Sequence, residues 1–379
     1  MNTQTFKYLI PMKKIILSIL ILGVAVIEGA SSEHIDSIMP IRGLCIGAPN
    51  SQEVDIFVKF ISEDLKPMGV NTMVLMVDYG YEYESHPELR AKNPLSKSDV
   101  RKLVEACKDA KIQIIPQINL LGHQSVHETV NPLLREYPEF DETPHIQMPE
   151  KYKWPNDDGL YCKSYCPLHP EVHDVVFALV DEVFEASAFH AGMDEVFYLG
   201  DDHCPRCAGI DKAKLFSDEV WRIRNHLMHK GQKLWIWGDR LIDGKATGLG
   251  MWEASMNNTA RAIDMIPKDV VICDWHYERP DHTAPYFAMH QLDVVTCPYR
   301  NPDVAVDQLE NMVRYRNHST PQMSSHFLGM MQTVWSPAGR FLKAWYGEEE
   351  ENVRSGGSAV ECFKNLFKEI NSLQDSADH

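Results

Sequence analysis

The chain has 379 residues, 44% of them hydrophobic, and carries 37 Lys and Arg against 54 Asp and Glu for a formal charge of -17. That length holds one large barrel or two ordinary domains. An acidic surface without a basic stripe excludes nucleic acid and anionic lipid as partners, and leaves a neutral polymer such as a glycan compatible.

The first thirty residues stand apart. Met12-Lys13-Lys14 and the apolar run 15–27 read as the basic and hydrophobic regions of a secretory leader, with Met12 a second candidate start. A run of thirteen residues is too short to cross a bilayer comfortably. Ala25 and Ala30 are both candidate last residues of the leader. A retained short anchor and a buried N-terminal helix are the alternatives. The expected location is secreted or periplasmic, with membrane retention if the leader stays. Losing Lys7, Lys13, Lys14 and Glu28 with it moves the charge from -17 to -19. No later segment is long and apolar enough to predict stable transmembrane insertion.

Strand-like apolar runs then follow in order at residues 40–46, 70–77, 112–118, 189–193, 233–237, 270–275, 294–297 and 330–335. Helical spacing separates them at 53–68, at 99–110 with Ser98 as cap, at 171–186 and at 212–230; residues 257–265 lead into the sixth strand. A closing helix is expected at 359–370, after the break at Gly356-Gly357. Continuous apolar strands alternating with helices mark a parallel sheet covered on both faces, and eight of them predict a closed (β/α)8 TIM barrel over residues 38–350. The tail 351–379 carries the closing helix. An open doubly wound sheet is the rival, but no Gly-x-Gly-x-x-Gly follows an early strand. The excursion 119–170, rich in Pro, His, aromatics and acids, is long enough to be a functional loop.

Nine cysteines include the pairs Cys162/Cys166 and Cys204/Cys207. In an exported protein at least one disulfide among these four is the default. A small tetrahedral zinc site, with His203 or His169 as substitute ligands, is the alternative. Nothing around Cys204-Pro205-Arg206-Cys207 resembles a thioredoxin unit. Cys45, Cys107, Cys273 and Cys297 read as small core residues.

The run Phe189-His190-Ala191-Gly192-Met193-Asp194-Glu195 delivers two adjacent carboxylates at the end of the fourth strand. Two acids at the mouth of a barrel can protonate a leaving group and stabilise a developing positive charge. Trp235, Trp237, Asp239, Trp275, Tyr277 and Trp335 recur at later strand ends. Indole planes that cover a sugar ring, with polar groups that fix its hydroxyls, account for such a set.

These residues resemble glycoside hydrolase family 20, the β-N-acetylhexosaminidases. His190-Ala191-Gly192-Met193-Asp194-Glu195 is similar to the family's His-x-Gly-Gly-Asp-Glu block. Arg42-Gly43 falls where the family places a sugar-contacting arginine. Pro116-Gln117-Ile118-Asn119-Leu120-Leu121-Gly122-His123 follows its Pro-Glu-Ile-Asp-x-Pro-Gly-His segment, and 329–335 resembles its closing Gly-x-x-x-x-x-Trp strand. Gln117 and Asn119 replace two acids, and the acid that commonly follows the last tryptophan is missing at Ser336-Pro337. The accessory domain that usually precedes the barrel is not expected here.

The resemblance implies a retaining exo-glycosidase that removes terminal β-linked N-acetylhexosamine with no organic cofactor. Glu195 would be the general acid, and Asp194 would hold a 2-acetamido group whose oxygen attacks C1. Arg42 would donate to sugar hydroxyls, or else close the barrel by pairing with Asp78 or another acid. His190 and His123 would orient the acids or contact the substrate, with structural roles as the alternative. Trp237, Trp275 and Trp335 would form walls, Asp239 would accept a hydroxyl, and Tyr277 would stand near the acetamide. Another hexoside substrate and a non-catalytic glycan-binding barrel remain alternatives. A zinc hydrolase fits poorly, because no His-Glu-x-x-His is present.

Overall fold

Eight parallel strands close into one hydrogen-bonded ring in the computed structural model, which describes residues 35–152, 162–349 and 357–375. They are β1 (Ile41–Gly47), β2 (Thr72–Met76), β3 (Gln113–Leu120), β4 (Ala188–Gly192), β5 (Lys233–Trp237), β6 (Val271–Trp275), β7 (Asp293–Cys297) and β8 (Phe327–Val334). Neighbours around the ring follow chain order, and β8 pairs with β1 to close it, Met330 beside Arg42 and Thr333 beside Cys45. The expected (β/α)8 barrel is the fold. The expected leader at 1–30 lies outside the described residues. Among the described residues no helix is long and apolar enough to cross a membrane.

Side chains alternate across each strand, which is why the strands are apolar throughout. Cys45, Val74, Ile115, Cys273, Val295 and Met331 point into the barrel with Trp235 and Trp237. Leu44, Ile46, Met73, Leu75, Ile114, Ile272 and Val294 belong to the larger core between barrel and helices. The outer ring comprises α1 (Val54–Lys59), which continues as π-helical turns over Phe60–Leu65, then α2 (Lys97–Ala110), α3 (Val172–Glu182) and α4 (Lys212–Met228). It is completed by α5 (Ala284–Met289), α6 (Pro302–His318), α7 (Ala338–Trp345) and α8 (Ala359–Asp375).

Helix α2 shows how sequence sets these elements. Val100, Leu103, Cys107 and Ala110 recur at helical spacing and are buried, while Ser96 and Asp99 form a reciprocal capping box. The cap is therefore Ser96 rather than Ser98, because only the residue three before Asp99 can exchange both hydrogen bonds with it. Between β5 and β6 the helical layer shrinks to Gly244–Thr247 and a 3₁₀ turn at Ala260–Asp264. The tail is part of the barrel wall: Gln332 Nε2 donates to the Ala359 carbonyl at 2.7 Å, and Trp345 meets Phe363 at 5.8 Å between ring centres. The long excursion after β3 contains a small hairpin, Ser125–Val126 with Thr129–Val130, and short helical turns at Pro132–Glu136 and Pro138–Phe140.

Candidate active site

In an ideal strand, side chains at adjacent positions face opposite ways. The chain escapes this after β4 by leaving extended geometry: Gly192, Met193 and Glu195 have φ of +67°, +67° and +48°. Only glycine fits the first of these positions, since a Cβ there would sit 2.2 Å from Asn119 Oδ1 on neighbouring β3. The Gly192 N–H donates to His190 Nδ1 at 3.0 Å, which ties the turn to its own strand. The same rim carries left-handed residues after β2 (Asp78, φ +44°) and after β3 (Leu121, +63°; His123, +54°). Three neighbouring strand ends thus bend together, and strain of this kind gathers at functional sites.

The bends place His123 between the two acids. Its Nε2 lies 3.0 Å from Asp194 Oδ2 and 3.5 Å from Glu195 Oε2. Burial works against a charged His123, but the Asp194 carboxylate overrides it and holds the imidazole pKa well above 6.5. Burial likewise opposes ionisation of Asp194, yet the charge and hydrogen bond of His123 win and keep its pKa below the usual value. Glu195 goes the other way. Burial raises it, His123 pulls it back, and the nearby Asp194 and Asp239 charges add to the rise, leaving it at about 7. The pKa values of two adjacent carboxyl groups are thereby pushed in opposite directions, the arrangement that separates an acid from an anion.

Asp194 opens on a cleft of about 610 Å³ that is also lined by His123, Asp78, Asn119, Tyr79 and Trp335, among others. Trp335 is 41% exposed and its indole N–H donates to the Tyr277 hydroxyl at 2.8 Å. Trp237 lies beneath it, 5.7 Å between ring centres, and Trp275 packs tilted against Tyr277 at 5.0 Å. The predicted aromatic set is assembled at one rim, although Trp237 is fully buried and forms the floor under Trp335. His190 is also buried, against Trp237 at 4.6 Å, so it supports the turn from below and is not a surface contact.

Two expected contacts are corrected. Arg42 is the second residue of β1, at the N-terminal end of the barrel, opposite the acids. Its Nε donates to the Gly69 carbonyl at 3.0 Å, and Nη1 donates to Asp36 at 2.7 Å and to the Met39 carbonyl at 2.8 Å. It closes the bottom of the barrel, with Asp36 rather than Asp78 as its acid. Asp239 is at the correct rim but is buried, with both oxygens already engaged by the protein. Oδ2 accepts from the Glu195 backbone N–H at 2.9 Å and from Arg240 Nε at 2.5 Å, and Oδ1 accepts from Trp275 Nε1 at 3.3 Å. Its work is to hold the Glu195 backbone.

The expected disulfide is also absent: none of the nine cysteines is disulfide-bonded. Cys162 does not approach Cys166 for bonding. Its Sγ donates to Glu195 Oε2 at 3.2 Å and lies 3.6 Å from His123 Nδ1, and burial pushes its own pKa up, so it remains a neutral donor. Cys166 instead faces Cys204 and Cys207. Sequence reading missed Cys162 as a partner of the acid, and also Asp78 and Asn119, which pair at the cleft wall with Asn119 N–H to Asp78 Oδ1 at 2.8 Å. Asp78 carried a signal, since it directly follows the apolar run of β2; Cys162 carried none, because its contact depends on how a long loop returns.

The whole arrangement has counterparts. The glycosyl hydrolase family 20 catalytic domain matches residues 67–340, well over half of the chain. Hexosaminidase D of Bos taurus is 26% identical over 192 residues, 47% of this chain and 49% of that protein, so the match spans about half the relative's length. A Flavobacterium johnsoniae chitobiase structure superposes with a TM-score of 0.58 at 18% identity, covering 89% of this chain and 52% of the other. A β-N-acetylhexosaminidase from Bacteroides fragilis gives 0.54 at 18% identity, covering 79% and 61%. At these identities the two structures speak for the barrel alone. The domain match, with the paired acids seated at the C-terminal rim, establishes that this chain belongs to glycosyl hydrolase family 20.

Proposed function

We propose that the chain is an exo-acting β-N-acetylhexosaminidase that works with retention through the substrate's own acetamido group. The observation that carries this reading is the division of labour between adjacent carboxyl groups. Glu195, with a pKa of about 7, still holds a proton for the glycosidic oxygen, whereas Asp194 is held ionised by His123. Asp194 Oδ1 is buried without a hydrogen-bond partner at the cleft, which leaves an acceptor for an acetamide N–H. As the C1–O bond breaks, the acetamide oxygen would attack C1 and Glu195 would protonate the departing oxygen. The Glu195 carboxylate would then take a proton from water, which attacks C1 and restores the acetamide.

Trp335, exposed at the cleft, offers an apolar plane for the sugar ring, backed by Trp237 and fixed by Tyr277. Asp78 stands at the same cleft where the acids replaced by Gln117 and Asn119 are missing, and would supply a carboxylate for hydroxyl groups. The leader read at residues 1–30 would deliver the enzyme outside the cytoplasm. The test is hydrolysis of aryl N-acetyl-β-hexosaminides beside the corresponding plain β-hexosides. Release of the aryl group from the acetamido substrates is expected. Saturable glycan binding without turnover would instead establish a lectin, and preference for the plain hexosides a different hydrolase.

A further inference from the structure

Four ligand-type side chains that the catalytic reading does not use converge in the loops after β3 and β4. Cys166 Sγ lies 3.5 Å from Cys207 Sγ and 3.6 Å from Cys204 Sγ. Glu142 joins them, fully buried. Its Oε1 accepts from the Asp201 N–H at 3.1 Å, while Oε2 is buried with no hydrogen-bond partner. One ligand atom from each of the four lies within 4.8 Å of every other. A buried carboxylate oxygen left without a donor is unfavourable by itself. A cation at the centre of the group would resolve it.

We propose that Glu142, Cys166, Cys204 and Cys207 bind a structural zinc ion. The spacing argues for metal over a disulfide. Zn–S bonds of about 2.3 Å give a tetrahedron an edge of about 3.8 Å, close to the observed separations. A disulfide needs sulfurs at about 2.05 Å. Three thiolates select zinc over calcium or magnesium, and four protein ligands leave no open position for hydrolytic chemistry. Cys204-x2-Cys207 supplies the short chelating turn of structural zinc sites.

The ion would join two loops that both serve the acids. Glu142 and Cys166 come from the excursion after β3, and Cys204 and Cys207 from the loop that begins with Asp194 and Glu195. Cys166 is four positions after Cys162, whose thiol donates to Glu195. Zinc at this place would hold Cys162 against the proton donor while touching no substrate. The inference stands whether or not the glycosidase reading does.

The test is metal analysis of the full chain purified without chelator, with free thiols alkylated at lysis and the peptides mapped without reduction. Stoichiometric zinc is expected to persist through gel filtration, with Cys166, Cys204 and Cys207 resistant to alkylation until the metal is removed. Cobalt exchanged into the same protein should give a thiolate-to-cobalt charge-transfer band and tetrahedral d–d bands, and Cys207→Ser and Glu142→Gln should lose zinc. The cobalt spectrum of the unmutated chain decides the matter even if these variants fail to fold. A disulfide between Cys166 and either Cys204 or Cys207, or a folded chain that takes up neither zinc nor cobalt, would overturn the proposal.

Discussion

Glu195 and Asp194 are neighbours in sequence and opposites in environment, and the difference lies in what His123 can reach. It pairs closely with Asp194 and more loosely with Glu195, at 3.0 and 3.5 Å. Glu195→Gln keeps the shape of the side chain but removes the transferable proton, so turnover should fall roughly 10²–10⁴-fold with ligand binding retained. In the unmutated enzyme, kcat/KM should decline as pH rises through about 7, a limb that belongs to the coupled cluster of His123, Asp194 and Glu195. Stability follows the same sign. Between the ordinary carboxyl value of 4.5 and about 7, the folded state binds more protons at Glu195 than the unfolded chain, so stability falls as pH rises. Glu195→Gln should therefore raise the Tm at pH near 8 and change it little near 5. An equal shift at both pH values in thermal melts would contradict the assignment. These two acids were legible in the sequence because they sit together at a strand end. Cys162 and Glu142 were not, because each acquires its partners only when separate loops fold onto one another.

At the level of elements, the site depends on bends where β2, β3 and β4 end. Gly192→Ala would force a methyl group to 2.2 Å from Asn119 Oδ1 at a φ of +67°. Left-handed backbone and overpacking together should cost roughly 2–4 kcal/mol, and kcat should fall because the turn carries Asp194. Urea unfolding checks the first and single-turnover kinetics the second; an unchanged midpoint would show that β3 and β4 can separate without loss. The strands themselves were readable from continuous apolar runs, because parallel strands are buried on both faces. The end of a strand on which a polar residue sits was less readable. Arg42 stands at the start of β1 and so belongs to the bottom of the barrel, whereas family resemblance suggested the top. Asp239 was placed at the correct end, but its buried bonds to Trp275, Arg240 and the Glu195 backbone depend on packing that no spacing reveals.

For the whole molecule, the barrel separates a face that carries stability from a face that carries chemistry. Arg42→Ala should lower stability by about 1–3 kcal/mol through lost hydrogen bonds at the N-terminal face and leave KM unchanged. Trp335→Ala should do the reverse, raising KM with little change in Tm, since its indole is exposed at the cleft. Denaturant melts and steady-state kinetics on both variants check this separation; a raised KM for Arg42→Ala would return that residue to the substrate.

The most direct test of the account is the ratio of kcat/KM for an aryl N-acetyl-β-hexosaminide to that for the matching plain β-hexoside, measured in the unmutated enzyme and in Asp194→Asn. If Asp194 holds the attacking acetamide, the ratio should favour the acetamido substrate strongly and collapse in the variant, with most of the loss in kcat. A ratio that survives Asp194→Asn unchanged, or that favours the plain hexoside from the start, would contradict substrate-assisted catalysis at this site.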